Sequence, residues 1–272
     1  ILQVTISAYN SKALSYPVQS KNGMVATQDQ YATQVGLDIL KAGGNAIDAA
    51  VAIGYALAVT HPQAGNLGGG GFMLIYDARS EQTYALDYRE KAPLKAHKDM
   101  YLDDFGNVDS NQSRFSILST GVPGTVAGLE AAFERFGSMK RSQVINPAIK
   151  LAQSGFQLTP GLSQSIQRFQ SYLKTSISPP EFLFNGDSYL KIGTTIKQPE
   201  LAKTLKIIKS KGAQAFYTGA IAETFVEFMK TNNGIISLDD LQVYEPQWRN
   251  IVHGSYKGYT IASMPPPSSG GI

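Results

Sequence analysis

The sequence predicts a layered α/β (α+β) domain, and three observations carry that prediction. Strand-like alternation occurs early, at FMLIY (residues 72–76) and TYALDY (83–88), and returns late, at RNIVHGSY (249–256) and YTIASM (259–264). Between them, from about Ala92 onward, helical patterns dominate. No internal repeat or low-complexity linker interrupts the chain, so residues 1–272 are expected to form one domain. Strands at both ends of a helical middle imply layers of sheet and helix instead of a bundle.

The elements follow in order. Asp29 can cap a helix running to about Ala42, whose Val35, Leu37, Ile39 and Leu40 give it a core face, and Gly43 and Gly44 stop it. Asn45 can cap a second helix, apolar nearly all round, which ends at His61 because Pro62 disfavours helix in the residue before it. The two read as a helical hairpin buried against something larger. The early strands, joined at residues 79–82, read as an antiparallel pair. Helices are then predicted over 123–136, 147–154, 160–174, 199–211 and 219–230, followed by Gly137, Gly155, Gly212 and Gly234 as stops for all but the third. Proline opens four of them, a position where its missing N–H costs nothing. GVPGTVAG (121–128) is small and glycine-rich where its helix begins, which suggests close packing on the sheet. The late strands form a hairpin around Lys257 and Gly258, and Pro265 to Pro267 prevent continuation as a central strand.

Composition excludes several classes of function. A hydrophobic content of 43% supports a sizeable core and argues against disorder. The net charge of +3, from 24 basic and 21 acidic residues, is too small and scattered to indicate a nucleic-acid or membrane-surface partner. The lysines of KTLKIIKSK (203–211) read as a solvated helix face. With no cysteine, thiol catalysis, disulfides and cysteine metal sites are excluded for this segment. The longest apolar run, residues 46–59, contains Asp48 and falls short of the roughly 20 residues of a membrane helix, so no membrane span is expected. Ile1 and its neighbours lack the order of a signal peptide, which fits a mature chain or a cloned fragment. His61, His97 and His253 show no ligand spacing and read as structural, so no metal is expected. Ser268 and Ser269 lack a G-x-S-x-G elbow and read as a turn. Asp48 needs a hydrogen-bonding or capping partner, because a lone buried carboxylate is costly.

The most informative stretch is residues 60–93, THPQAGNLGGGGFMLIYDARSEQTYALDYREKAP. Gly65 and Gly68 to Gly71 remove every Cβ ahead of a strand, so backbone or ligand can approach closely. A phosphate cradle is excluded by context: Phe72 and a strand follow, where a Lys-Ser or Lys-Thr pair and a helix would be needed. Arg89 stands in DYREKAP at a strand end, where its guanidinium fork suits a carboxylate. The residues alone leave a structural pairing with Asp87 or Glu90 open.

These segments resemble the large subunit of the γ-glutamyltransferase family, also called glutathione hydrolases. The likeness extends to AGGNAIDAAVA (42–52), GVPGTVAGLEAA (121–132), FYTGAIAE (216–223) and the closing MPPPSSGGI. It implies the four-layer αββα sandwich of N-terminal nucleophile hydrolases, incomplete in this chain. It also implies a precursor that cuts itself, freeing a threonine nucleophile at the start of a small subunit, beyond these residues. No catalytic residue is then expected within residues 1–272, and this segment alone is expected to be inactive. The arginine of the family's DYRE-like segment binds the α-carboxylate of the γ-glutamyl group, which assigns that role to Arg89. Partners implied are the small subunit and glutathione or related γ-glutamyl compounds, with no cofactor and a periplasmic or secreted location. Alternatives are another acylase on the same scaffold, such as a cephalosporin acylase or poly-γ-glutamate transferase, or a non-catalytic binding protein.

Overall fold

The computed structural model describes residues 19–186 and 188–270. It opens on the helical hairpin, α1 (Gln30–Lys41) and α2 (Ala46–Thr60), followed by the antiparallel strands β1 (Phe72–Asp77) and β2 (Gln82–Asp87). A long helical section carries α3 (Ser110–Phe115), α4 (Thr125–Phe136), α5 (Arg141–Ser154), α6 (Pro160–Arg168), α7 (Gln170–Thr175), α8 (Pro199–Lys211), α9 (Gln214–Tyr217), α10 (Ala220–Thr231) and α11 (Leu238–Gln242). Short strands β3 (Phe156–Gln157) and β6 (Thr195–Ile196) pair with each other, as do β4 (Phe184–Asn185) and β5 (Ser188–Tyr189). The chain closes with β7 (Gln247–Arg249), β8 (Val252–Tyr256) and β9 (Tyr259–Ser263).

Local chemistry explains the hairpin. The Asp29 side chain accepts from the Ala32 N–H at 2.9 Å and caps α1. Its same oxygen accepts from the Thr60 hydroxyl at 2.7 Å, tying the start of α1 to the end of α2. Asn45 and Asp48 form a capping box on α2. Asp48 is fully buried, and its expected partners are the N–H groups of Asn45, Ser138 and Met139 and the Ser138 hydroxyl. Burial acts to raise its pKa, but these donors outweigh it and hold the carboxyl below the ordinary aspartate range. The apolar α2 packs on α1, α4 and α5, and α5 packs on α8. Lys203, Lys206 and Lys211 of α8 are exposed, as a solvated face requires.

The three-stranded sheet has the order β1-β2-β7, all antiparallel, with β2 in the centre and its Ala85 and Leu86 buried. The β8–β9 hairpin turns through Lys257 (φ 48°) and Gly258 (φ 83°), the left-handed pair that such a tight turn favours. Ser268 lies in a turn, its N–H donating to Pro265 O at 3.1 Å.

Four expectations need correction. The helix expected at residues 147–154 starts at Arg141 and holds Pro147 in its interior, because Val144 and Ile145 are buried on the same face as Ala148, Ile149 and Ala152. That burial outweighs the local penalty of the proline. The helix expected over 160–174 is broken at Phe169 (φ −107°, ψ 13°), dividing α6 from α7. The helix expected from Pro123 begins at Thr125, with Gly124 as its N-cap. RNIVHGSY is not one strand: Arg249 ends β7 on the central sheet, while Val252 begins a separate hairpin.

Candidate substrate site around Arg89

The site is built where the glycine loop, the end of β2 and the start of α4 meet. Gly71 and Tyr88 extend the β1–β2 ladder by exchanging backbone hydrogen bonds of 3.2 and 2.9 Å. A Cβ on Gly70 would lie 2.5 Å from Tyr88 O and 2.7 Å from Glu90 N. Gly69 O accepts from the N–H groups of Gly124 and Thr125 at 2.8 and 3.0 Å, joining the loop to the N-terminus of α4. On the other side, a Cβ at Gly124 would meet Tyr88 O and the Tyr244 hydroxyl, and one at Gly128 would meet the Tyr88 side chain. Both glycine segments are therefore close-packing devices around Tyr88 to Glu90.

Arg89 is fixed by its backbone on both sides. Its N–H donates to Asp87 Oδ1 at 3.0 Å, and its carbonyl accepts from the Tyr244 hydroxyl at 2.9 Å. Tyr244 stacks on Tyr217 at 5.6 Å with the rings 7° apart, and Lys91 Nζ stands 4.9 Å from the Tyr244 ring centroid. The Tyr217 hydroxyl donates to Pro123 O at 2.9 Å and accepts from Ala127 N–H at 3.2 Å. Burial pushes the phenols of Tyr217 and Tyr244 well above the ordinary tyrosine range, so both stay protonated donors at neutral pH. The segment after Arg89 is held as well: Lys91 and Val122 exchange backbone hydrogen bonds, and Leu94 N–H donates to Asp240 Oδ1 at 2.6 Å.

The side chain of Arg89 is exposed, and its Nη1 donates to Pro267 O at 3.3 Å. Among the described residues it forms no ion pair. Asp87, which the sequence offered as its partner, accepts through Oδ2 from Arg249 Nε at 2.7 Å. Arg89 borders a groove of about 520 Å³ with Asn66, Gly68, Gly69, Thr120 and Gly121. A fork free of carboxylates among the described residues, on a rigid strand end beside an open groove, is equipped to take a carboxylate from outside.

Sequence reading found Arg89 and the glycine loop but missed Tyr244, Tyr217 and Arg249. They lie far along the chain; Tyr217 stands in the FYTGAIAE segment and Arg249 in a strand-like alternation, but neither signal pointed to Arg89. A larger hollow of about 680 Å³ lies at the N-terminus of α2, lined by Arg79, Arg135 and Phe136 and by none of the residues around Arg89. His61 Nδ1 is 2.8 Å from Gln63 Nε2, a local hydrogen bond. Among the described residues no group of three or more His, Asp or Glu side chains could hold a metal ion, and no helix is long and apolar enough to cross a membrane.

Known proteins are similar to this chain in sequence and in fold. The glutathione hydrolase proenzyme of Escherichia coli K12 is 50% identical over 259 residues, covering 94% of this chain and 44% of its own length. That of Bacillus subtilis 168 is 45% identical over 253 residues, with 93% and 43% covered. The chain thus spans less than half the length of these relatives. Among solved structures, Helicobacter pylori gamma-glutamyltranspeptidase superposes with a TM-score of 0.91 at 47% identity, over 94% of this chain and 73% of that one. The gamma-glutamyltranspeptidase of Pseudomonas nitroreducens, complexed with L-DON, gives a TM-score of 0.88 at 43% identity, over 93% and 74%. The sequence model of the family described as gamma-glutamyltranspeptidase matches residues 32–272, and the chain belongs to that family.

Proposed function

We propose that this chain is the large-subunit part of a γ-glutamyltransferase or glutathione hydrolase, and that Arg89 binds the α-carboxylate of the γ-glutamyl group. The observation that carries this reading is the Arg89 fork: anchored at its backbone N–H and carbonyl, without a carboxylate partner among the described residues, and open to a groove. Held there, the carboxylate end is remote from the scissile γ-amide, so Arg89 contributes orientation instead of bond chemistry. The glycine loop supplies the close backbone floor beside it.

The reaction is completed by a small subunit from the same precursor. Its N-terminal threonine hydroxyl attacks the γ-amide carbon, the amine leaves with a proton, and a γ-glutamyl ester remains. Water or an acceptor amine then takes the γ-glutamyl group and returns the hydroxyl. No step needs a metal or organic cofactor. The complete enzyme is a four-layer αββα sandwich, residues 1–272 contribute a single domain to it, and it works in the periplasm or outside the cell.

A second reading is an acylase or transpeptidase of different specificity on the same scaffold. The CapD transpeptidase of Bacillus anthracis superposes with a TM-score of 0.76 at 31% identity, and a cephalosporin acylase of Bacillus halodurans with 0.79 at 26%. The higher identity to glutathione hydrolases supports the first reading.

The test uses the full-length processed protein with a chromogenic γ-glutamyl anilide and its α-carboxamide analogue. Wild type should lose strongly on the amidated analogue, and Arg89→Ala should lose about 2–5 kcal/mol in kcat/KM on the anilide but little more on amidation. Arg89→Lys should suffer mainly in KM, since it keeps charge without the fork. Equal sensitivity of wild type and Arg89→Ala to amidation would show that Arg89 does not hold the carboxylate.

A further inference from the structure

Asp87 presents a problem that the fold has to solve. Residues two apart on a strand point to the same face, so Asp87 ends β2 on the face of Ala85, and the chain then runs through Arg89 to Lys91. The Asp87 carboxylate already folds over residue 89, because its Oδ1 accepts the Arg89 backbone N–H at 3.0 Å. Asp87 is only 7% exposed, so its second oxygen cannot be left to water. That oxygen needs a donor. Lys91 is committed elsewhere, its Nζ donating to Glu245 O at 2.9 Å. Glu90, which lines the same groove as Arg89, packs its Cβ where a Cβ of Gly121 would lie only 2.7 Å away.

The cation that Asp87 takes comes from the neighbouring strand. In the β2–β7 register Ala85 faces Arg249 and Asp87 faces Gln247, so Arg249 is the diagonal neighbour of Asp87 on the same face. Its Nε reaches Asp87 Oδ2 at 2.7 Å. Among the described residues the Arg89 guanidinium is left with a single neutral acceptor, Pro267 O, at 3.3 Å.

We propose that Arg249 is a positioning residue for substrate binding: by occupying the Asp87 carboxylate, it prevents that carboxylate from capturing the Arg89 fork. This rests on the reading of Arg89 as the carboxylate anchor. Asp87 is then needed for its hydrogen bond to the Arg89 backbone, and Arg249 makes that arrangement compatible with an open guanidinium. Without Arg249, the Asp87 carboxylate, already bonded to the Arg89 backbone N–H, is free to turn to the Arg89 guanidinium and compete with substrate for it.

The test is a double-mutant cycle in the full-length processed protein, with KM and kcat read separately on the γ-glutamyl anilide. Arg249→Gln should raise KM about five- to fiftyfold, with kcat within about threefold, as expected when a charge-assisted competitor must be displaced before binding. Arg249→Lys should retain most of the wild-type KM. Adding Asp87→Asn to Arg249→Gln keeps an acceptor for the Arg89 N–H but removes the competing charge, so KM should return to within about threefold of wild type. A double variant as impaired as Arg249→Gln would mean that Arg249 merely supports the strand, and would overturn the proposal. So would an unchanged KM in Arg249→Gln. If Arg249→Gln yields no processed protein, Arg249→Met, which also removes the cation, gives the same comparison with and without Asp87→Asn: a raised KM restored by Asp87→Asn supports the proposal, and any other result overturns it. Arg89→Ala, measured in parallel, separates the two readings. A large KM increase there with no effect in the Arg249 series rejects only the positioning role, whereas an unaltered KM in Arg89→Ala rejects the anchor itself.

Discussion

The Tyr244 hydroxyl donates to the backbone carbonyl of Arg89 at 2.9 Å, across a sequence separation of 155 residues. This contact makes the position of the proposed anchor depend on the far end of the chain. Tyr244→Phe keeps the stacked ring and removes only the hydroxyl. The expected loss is about 0.5–1.5 kcal/mol of stability, read as a lower denaturation midpoint, with KM rising more than kcat falls. An unchanged KM would show that Arg89 is held without Tyr244.

Gly128 has no room for a methyl group, since a Cβ would meet the Tyr88 side chain. Gly128→Ala should cost about 1–3 kcal/mol through overpacking and lower the yield of processed protein. Gly161 of α6 is the control, with nothing within 4 Å of its would-be Cβ. Gly161→Ala should raise stability by about 0.4–1 kcal/mol, and thermal melts of the two variants should move in opposite directions.

Asp48 carries an acid-side prediction. Its folded pKa is depressed from 3.8, because the Ser138, Asn45 and Met139 donors outweigh the effect of burial. A depressed carboxylate contributes stability that is fully present above the unfolded value and lost as pH falls through the folded one. Stability should therefore drop as pH falls below about 3.8. Asp48→Asn should be less stable at pH 7 and show a shallower acid slope, measured by denaturant titration across pH 2.5–5, a range set by carboxylate pKa values of about 4. Equal slopes would remove Asp48 from the account.

Glu130 behaves in the opposite sense. It is nearly fully buried, accepts from the Tyr55 hydroxyl at 2.9 Å and pairs with Arg141 Nε at 2.6 Å, and burial raises its pKa above 4.5. A raised carboxylate favours the folded state most below the unfolded value, and its contribution falls as pH rises toward the folded one. Arg141→Ala leaves this carboxylate buried without its cation, at a cost of about 3–5 kcal/mol near neutrality. The loss should be smaller at pH 4.5, where Glu130 is more readily protonated; a loss independent of pH would point to packing instead of charge.

Much of the fold was legible in local sequence because its signals are local. Asp29 and Asn45 cap the helices they precede, Gly212 stops α8, and Lys257-Gly258 turns the last hairpin, each through a backbone preference set by one or two residues. The glycines of residues 121–128 pointed to close packing because a missing Cβ opens room for a neighbour, and Glu90 fills that room at Gly121 and Tyr88 at Gly124 and Gly128. Tertiary structure decided what depends on partners distant in sequence. Pro147 sits inside α5 because burial along that face outweighs one lost hydrogen bond, and Arg249 belongs to the central sheet because β2 offers it a ladder. The sequence alone left Arg89 free to pair with Asp87, with Glu90 or with a ligand. The register of β7 decided the partner of Asp87 by bringing Arg249 to it, since a strand's partner is set by long-range pairing that no neighbouring residue encodes.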